Sequence, residues 1–117
     1  NFGHTFGHAI ELYGNFREFS HGQSVAIGML MAMELSNKYE GFSEDDLIRS
    51  KDLIIKANPN LNLKKAFEEK RLIENMSVDK KKTGDKLTFI LLKEIGKVKI
   101  RTDIAESHIA RAIRSVV

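Results

Sequence analysis

The chain has 117 residues, 42% of them hydrophobic and 30% charged, the balance of one globular domain large enough to bury a core. It contains no cysteine, which excludes disulfides and thiolate zinc sites. The net charge is only +3, and apart from Lys80, Lys81 and Lys82 the positive residues are scattered with no interleaved aromatics, so the chain carries no nucleic-acid footprint.

The longest apolar run, Val25 to Met33, is broken only by Gly28 and is far shorter than the roughly 18 residues that cross a bilayer. The first residues form neither a signal nor a transit peptide. They lack an initiator methionine and start inside what reads as a motif, so a piece of a longer protein is expected.

In chain order, Gly3 to Tyr13 predicts a short helix that places His4, His8 and Glu11 on one face. Gly14-Asn15 stops it, and a loop to Ser20 carries Phe16 and Phe19. Ser20 reads as an N-cap with Gln23 as its capping-box partner. The helix it opens, about His21 to Tyr39, is apolar almost all round through Val25, Ile27, Leu30 and Met31, and is expected to be the buried central helix. Gly28 inside it is costly for a helix, and a neighbour packed very close explains its presence.

Ser43, with Asp46, caps a third helix over about 43–57 with a stripe of Leu47, Ile48, Ile54 and Ile55, broken by Asn58-Pro59-Asn60. A fourth helical stretch is expected from about Leu63 to Met76, with Ala66, Phe67, Ile73 and Met76 in the core, and then a charged connection from Lys80 to Gly84. "KLTFILL" and "KVKI" read as a hairpin turning at Glu94 to Gly96, with Val98 and Ile100 half-buried on an edge. Asp103 and Glu106 open a last helix with a stripe of Ala105, Ile109, Ala112, Ile113 and Val116. The expected fold is one mainly helical domain of about five helices, with a small β-hairpin before the last.

Three of the four histidines lie in the first 22 residues. His4 and His8, four apart on a helix, can both reach one point, though such a pair alone matches often by chance. Gly3 and Gly7 beside them allow close approach of a ligand or backbone, and a helix-loop-helix hairpin returns His21 to the first helix. A core histidine bonded to backbone accounts for one such ring but not for three. A catalytic zinc takes about three protein ligands and an open position, and spacing does not choose among His4, His8, His21 and Glu11. Glu11 is equally readable as an acceptor behind a ligand or as a solvated helix charge. His108, alone on a charged helix, reads as a surface residue. Lys80 and Lys81 read first as a solvated charge run, and beside a zinc site they would suit an anionic substrate such as a phosphate ester.

"NFGHTFGHAIE", "HGQSVAIGM" and "DKKKTGDKLTFILLKEIGK" together resemble the C-terminal domain of 3-dehydroquinate synthase, in order and over essentially the whole chain. The resemblance implies an enzyme of the shikimate pathway, leading to chorismate and the aromatic amino acids. That enzyme is a cytoplasmic carbon-oxygen lyase that turns 3-deoxy-D-arabino-heptulosonate 7-phosphate into 3-dehydroquinate and phosphate. It implies NAD, one divalent metal (zinc or cobalt), an N-terminal Rossmann-like NAD domain outside this chain, a homodimer, and neither nucleic acid nor membrane as partner.

Residue by residue, the resemblance assigns the metal to His4 and His21, with a third, glutamate ligand from before Asn1. It assigns proton transfer to His8, and substrate-phosphate contacts to Asn1 and to Lys80 or Lys81 of Asp79-Lys80-Lys81. Where the family often has His-Gly-Glu-Ala this chain has His21-Gly22-Gln23-Ser24, a change that touches no ligand. By itself the chain is expected to fold, to bind metal weakly and NAD not at all, and to be inactive. The competing readings are a sister sugar-phosphate cyclase of the 2-deoxy-scyllo-inosose synthase type, a metal-dependent alcohol dehydrogenase, and a non-catalytic helical interaction module.

Overall fold

Two helices in backbone contact organise the molecule. A computed structural model describes residues 2–61, 63, 67–82, 84 and 86–116, without the side chains of Asp79 and Lys82. Helix α1 (His4–Tyr13) lies against α2 (His21–Glu40), and α3 (Glu44–Ala57), α4 (Glu69–Lys82), strands β1 (Phe89–Glu94) and β2 (Lys97–Arg101), and α5 (Glu106–Arg114) follow in order.

The α1–α2 crossing is closer than side chains permit. A Cβ on Gly28 would lie 2.2 Å from the Gly3 carbonyl oxygen and 2.8 Å from the Gly7 nitrogen. One on Gly3, whose φ is +79°, would lie 2.7 Å from the Met29 nitrogen. Glycine is required at both positions, at Gly3 for its backbone conformation as well. The expected close neighbour of Gly28 is therefore α1 itself.

Helix α2 is the buried centre, as its composition predicts: ten of its residues are buried, among them Ile27, Leu30, Met31 and Leu35. Phe6 and Ile10 of α1, Leu72 and Met76 of α4, Phe89 and Leu91 of β1, and Ile109 and Ile113 of α5 pack with it into one core. Met33, Phe42 and Leu47 form a smaller cluster between α2 and α3. The buried Ser36 hydroxyl donates to the Ala32 carbonyl at 2.8 Å and accepts the Leu92 N–H at 2.9 Å, so a polar group in the core joins α2 to β1 with its bonds satisfied. The hairpin is antiparallel, with a bulge where Leu92 pairs with Val98 and Glu94 with Lys97.

Among the described residues, five helices and a hairpin match the sequence expectation, and both serine caps form: Ser20 exchanges bonds with Gln23 in a full capping box, and Ser43 accepts from the Asp46 N–H. Other details differ. The fourth helix begins at Glu69 rather than near Leu63 and continues through Lys82. Its start is displaced because Phe67 is drawn out of helical register to pack on Tyr13 and Phe19, and the Glu68 N–H donates to the Tyr13 hydroxyl. Its end is extended because lysines are good helix formers, so the expected connection from Lys80 is the last turn of α4. Ala66 and Asn1 lie outside the described residues.

On α3 only Leu47 of the expected stripe is fully buried. Ile48 and Ile55 are exposed, because α3 meets the rest of the molecule along one narrow line. Val98 and Ile100 are exposed rather than half-buried, since nothing among the described residues covers β2. Ala105 is the exposed N-cap of α5 and not part of its buried stripe, while Ile109, Ala112, Ile113 and Val116 are buried as expected. His108 is not a plain surface residue: its Nδ1 lies 2.5 Å from the Tyr39 hydroxyl.

Candidate functional site

The short loop between α1 and α2 builds the site. Asn15 and Phe16 take left-handed backbone at φ 54° and 59°. Their amides bond back to the Leu12 and Glu11 carbonyls, which reverses the chain within a few residues. Buried Phe19 then anchors it, and the Ser20 capping box starts α2 with His21 as its first residue. A glutamate in place of Gln23 would complete the same box, so the departure from the family pattern leaves His21 where it is.

The glycine contact fixes α1 over this end of α2, and the three histidines converge. The His4 and His8 ring centres are 5.5 Å apart and nearly perpendicular, and those of His4 and His21 are 5.8 Å apart. Two imidazoles that share one tetrahedral ion through Nε2, at about 2.1 Å each, have ring centres roughly 5.2 Å apart, so the His4–His21 spacing is slightly wider than a shared ion would set it. His8 and His21 are exposed and His4 is half-buried.

The second nitrogen of each candidate donor is accounted for. His21 Nδ1 lies 2.5 Å from Glu11 Oε1, and His4 Nδ1 lies 3.4 Å from the Phe2 carbonyl oxygen. An ionised carboxylate and a carbonyl can only accept, so each Nδ1 is the donor, and in the neutral ring the Nε2 lone pair is left for a ligand. Metal-binding histidines usually show this arrangement, with the far nitrogen bonded to a carboxylate or carbonyl. Among the described residues no group of three or more His, Cys, Asp or Glu side chains is arranged to hold a metal ion. His4 and His21 are the two side chains here that could offer Nε2 to an ion whose other donors lie elsewhere.

Helix α4 runs antiparallel to α1, with the Asn75 amide donating to the Ala9 carbonyl and Arg71 to that of Tyr13. Exposed Lys80 lines a cleft of about 200 Å³ between α4 and α5, with Lys86, Thr102 and Glu106 among its walls and none of the three histidines. Lys81 is also exposed. Asn1, the remaining expected contact, lies outside the described residues. The Tyr39–His108 pair, 69 positions apart, has no local sequence signal.

The family pattern described as 3-dehydroquinate synthase C-terminal matches residues 1–82. The 3-dehydroquinate synthase of Dictyoglomus turgidum is 43% identical over 97% of this chain, and that of Campylobacter concisus 37% identical over 97%. The chain covers 32% and 33% of their lengths, so it spans about a third of the curated relatives it matches. Among solved structures, a 2-deoxy-scyllo-inosose synthase complexed with carbaglucose-6-phosphate, NAD+ and Co2+ superposes with a TM-score of 0.77 at 28% identity, over 99% of this chain and 33% of that one. A 2-epi-5-epi-valiolone synthase from Streptomyces hygroscopicus with NAD+ and Zn2+ bound shares the fold, with a TM-score of 0.84 at 21% identity over 98% of this chain and 31% of that one. With its histidine motifs folded into one cluster and more than half its length under the family pattern, the chain belongs to the 3-dehydroquinate synthase family, as its C-terminal domain.

Proposed function

We propose that this chain is the metal- and substrate-binding part of a full-length 3-dehydroquinate synthase that converts 3-deoxy-D-arabino-heptulosonate 7-phosphate to 3-dehydroquinate and phosphate, with NAD held by a domain N-terminal to it. The observation that carries the reading is the convergence of His4 and His21 from two helices, each with Nδ1 on an oxygen acceptor. His4 and His21 would hold the ion. When bound, a divalent metal would polarise the reacting oxygen as a Lewis acid, and NAD would take up and return the hydride.

His8, exposed beside His4, would accept the proton of the substrate hydroxyl at an imidazole nitrogen and give it back when the alcohol is restored. Asn1 and Lys80 or Lys81 would hold the phosphate, a lysine adding a charge-assisted hydrogen bond. The same reading implies a cytoplasmic homodimer.

Variants of the full-length enzyme test these roles. His4→Ala and His21→Ala are expected to lose bound metal together with turnover, and His8→Ala to lose turnover while keeping metal. Elemental analysis that finds metal lost equally in all three would overturn the assignment. Lys80→Ala or Lys81→Ala, whichever holds the phosphate, should weaken productive substrate binding by about 1.5–3 kcal/mol. Unchanged kcat and KM in both would return the pair to a solvated helix end.

A sister cyclase is the second reading, favoured by the superposition on 2-deoxy-scyllo-inosose synthase. The higher identity to relatives named 3-dehydroquinate synthase supports the first. Identification of the product formed from each sugar phosphate distinguishes them.

A further inference from the structure

Glu11 sits on α1 one turn beyond His8, and the proposed chemistry gives it no task. Its side chain is only 14% exposed, yet it reaches the ring of His21, which is 64% exposed, at 2.5 Å. We propose that Glu11 is a positioning residue for His21: it holds the imidazole in the Nδ1–H tautomer and in one rotamer, so that Nε2 faces the ion. This rests on the reading of His21 as a metal donor.

The physical case has three parts. First, a carboxylate cannot donate, so the pair fixes the proton on Nδ1. A neutral imidazole in water otherwise favours the proton on Nε2, the atom a metal needs bare. Second, a ring this exposed, at the first position of a helix, has little packing to restrain χ1 and χ2, and one charge-assisted bond removes that freedom. Third, the bond crosses from α1 to α2. The proposed donors His4 and His21 belong to different helices, and Glu11 ties the second to the helix that carries the first. The competing role is direct ligation, in which Glu11 would swing off His21 and bind the ion through its own oxygen.

The variants Glu11→Ala and Glu11→Gln in the full-length protein separate these roles. Glutamine keeps an acceptor oxygen for Nδ1–H but is a poor metal ligand. Zinc affinity is read by competition with a chromophoric chelator, and the His21 tautomer by ring 15N shifts of the metal-free protein at alkaline pH. Positioning predicts that Glu11→Ala loses about 10–100-fold in zinc affinity and moves the His21 proton towards Nε2, while Glu11→Gln keeps the Nδ1–H tautomer and most of the affinity. A wild-type tautomer and affinity in Glu11→Ala would overturn the proposal. So would a Glu11→Gln protein that keeps the tautomer but loses as much zinc affinity as Glu11→Ala, which is the signature of a direct ligand. His21→Ala serves as the control: full zinc affinity there would overturn the metal reading beneath, while the tautomer shifts would still report whether Glu11 orders the ring.

Discussion

The two ends of α2 each hold a histidine in a side-chain bond, and they are built to opposite purposes. At the C-terminal end the network closes on itself. The Tyr39 hydroxyl accepts the Ala105 N–H and shares a hydrogen bond with His108 Nδ1. The Arg101 guanidinium bonds the Glu40 carboxylate, the Tyr39 carbonyl and Asp103, and its pKa is raised above the ordinary arginine value chiefly by the Glu40 bond. These contacts join α2 to the hairpin and to the start of α5. At the N-terminal end the network is left open: Glu11 occupies one nitrogen of His21, and the ring stands 64% exposed. A polar cluster that uses up its donors and acceptors holds structure together, whereas one that keeps a lone pair facing outward is available for chemistry. Residue type alone does not separate the two cases, but the count of satisfied atoms does.

The contrast can be broken hardest at the point between the two ends. Gly28→Ala puts a methyl group far inside van der Waals contact with the Gly3 carbonyl oxygen, so α1 must move away with His4 and His8. A loss of about 3 kcal/mol or more is expected by chemical denaturation, together with weaker metal binding in the full-length enzyme. A wild-type melt would show that the crossing yields without cost. Tyr39→Phe should have a smaller effect confined to the closed end. It removes the hydroxyl bonded to the exposed Ala105 N–H and the half-buried His108 Nδ1, for about 0.5–1.5 kcal/mol of stability, and leaves zinc affinity unchanged. A change in zinc affinity would mean the two ends are coupled through α2. The smallest effect is expected at the open end. His4→Ala should change folding stability by no more than about 0.5 kcal/mol, and a chelator should not shift the Tm of the 117-residue chain, because the core rests on α2 and its apolar neighbours and not on metal. A large chelator-induced fall in Tm would place the histidine cluster among the elements that hold the fold.

Much of the open end is legible in sequence, because its geometry is local. His4, His8 and Glu11 share a face by helical spacing, the Ser20–Gln23 box announces where α2 begins, and a seven-residue loop, 14–20, leaves His21 few places to go. Gly28 likewise announces a close neighbour. The closed end is not legible, because Tyr39 and His108 meet only after α2, α4, the hairpin and α5 have packed, and no spacing rule links residues 69 apart. The exposed Ile48, Ile55, Val98 and Ile100 mislead for a related reason: periodicity shows that a face is apolar but not whether a second layer covers it. The start of α4 was obscured by one aromatic contact, since Phe67 fits a helical stripe equally well in sequence and packs on Tyr13 and Phe19 from outside the helix.

The Gly3–Gly28 contact also bears on binding at His4, the next residue along α1. Helices separated by side chains can slide by small rotamer adjustments, but backbone resting on backbone leaves no soft layer to absorb such motion. The separation of the two helix backbones that carry His4 and His21 is therefore set when the chain folds and not when a ligand arrives. Little entropy remains to be lost on complexation, and ions that would require the two rings to spread or draw together meet a stiff frame.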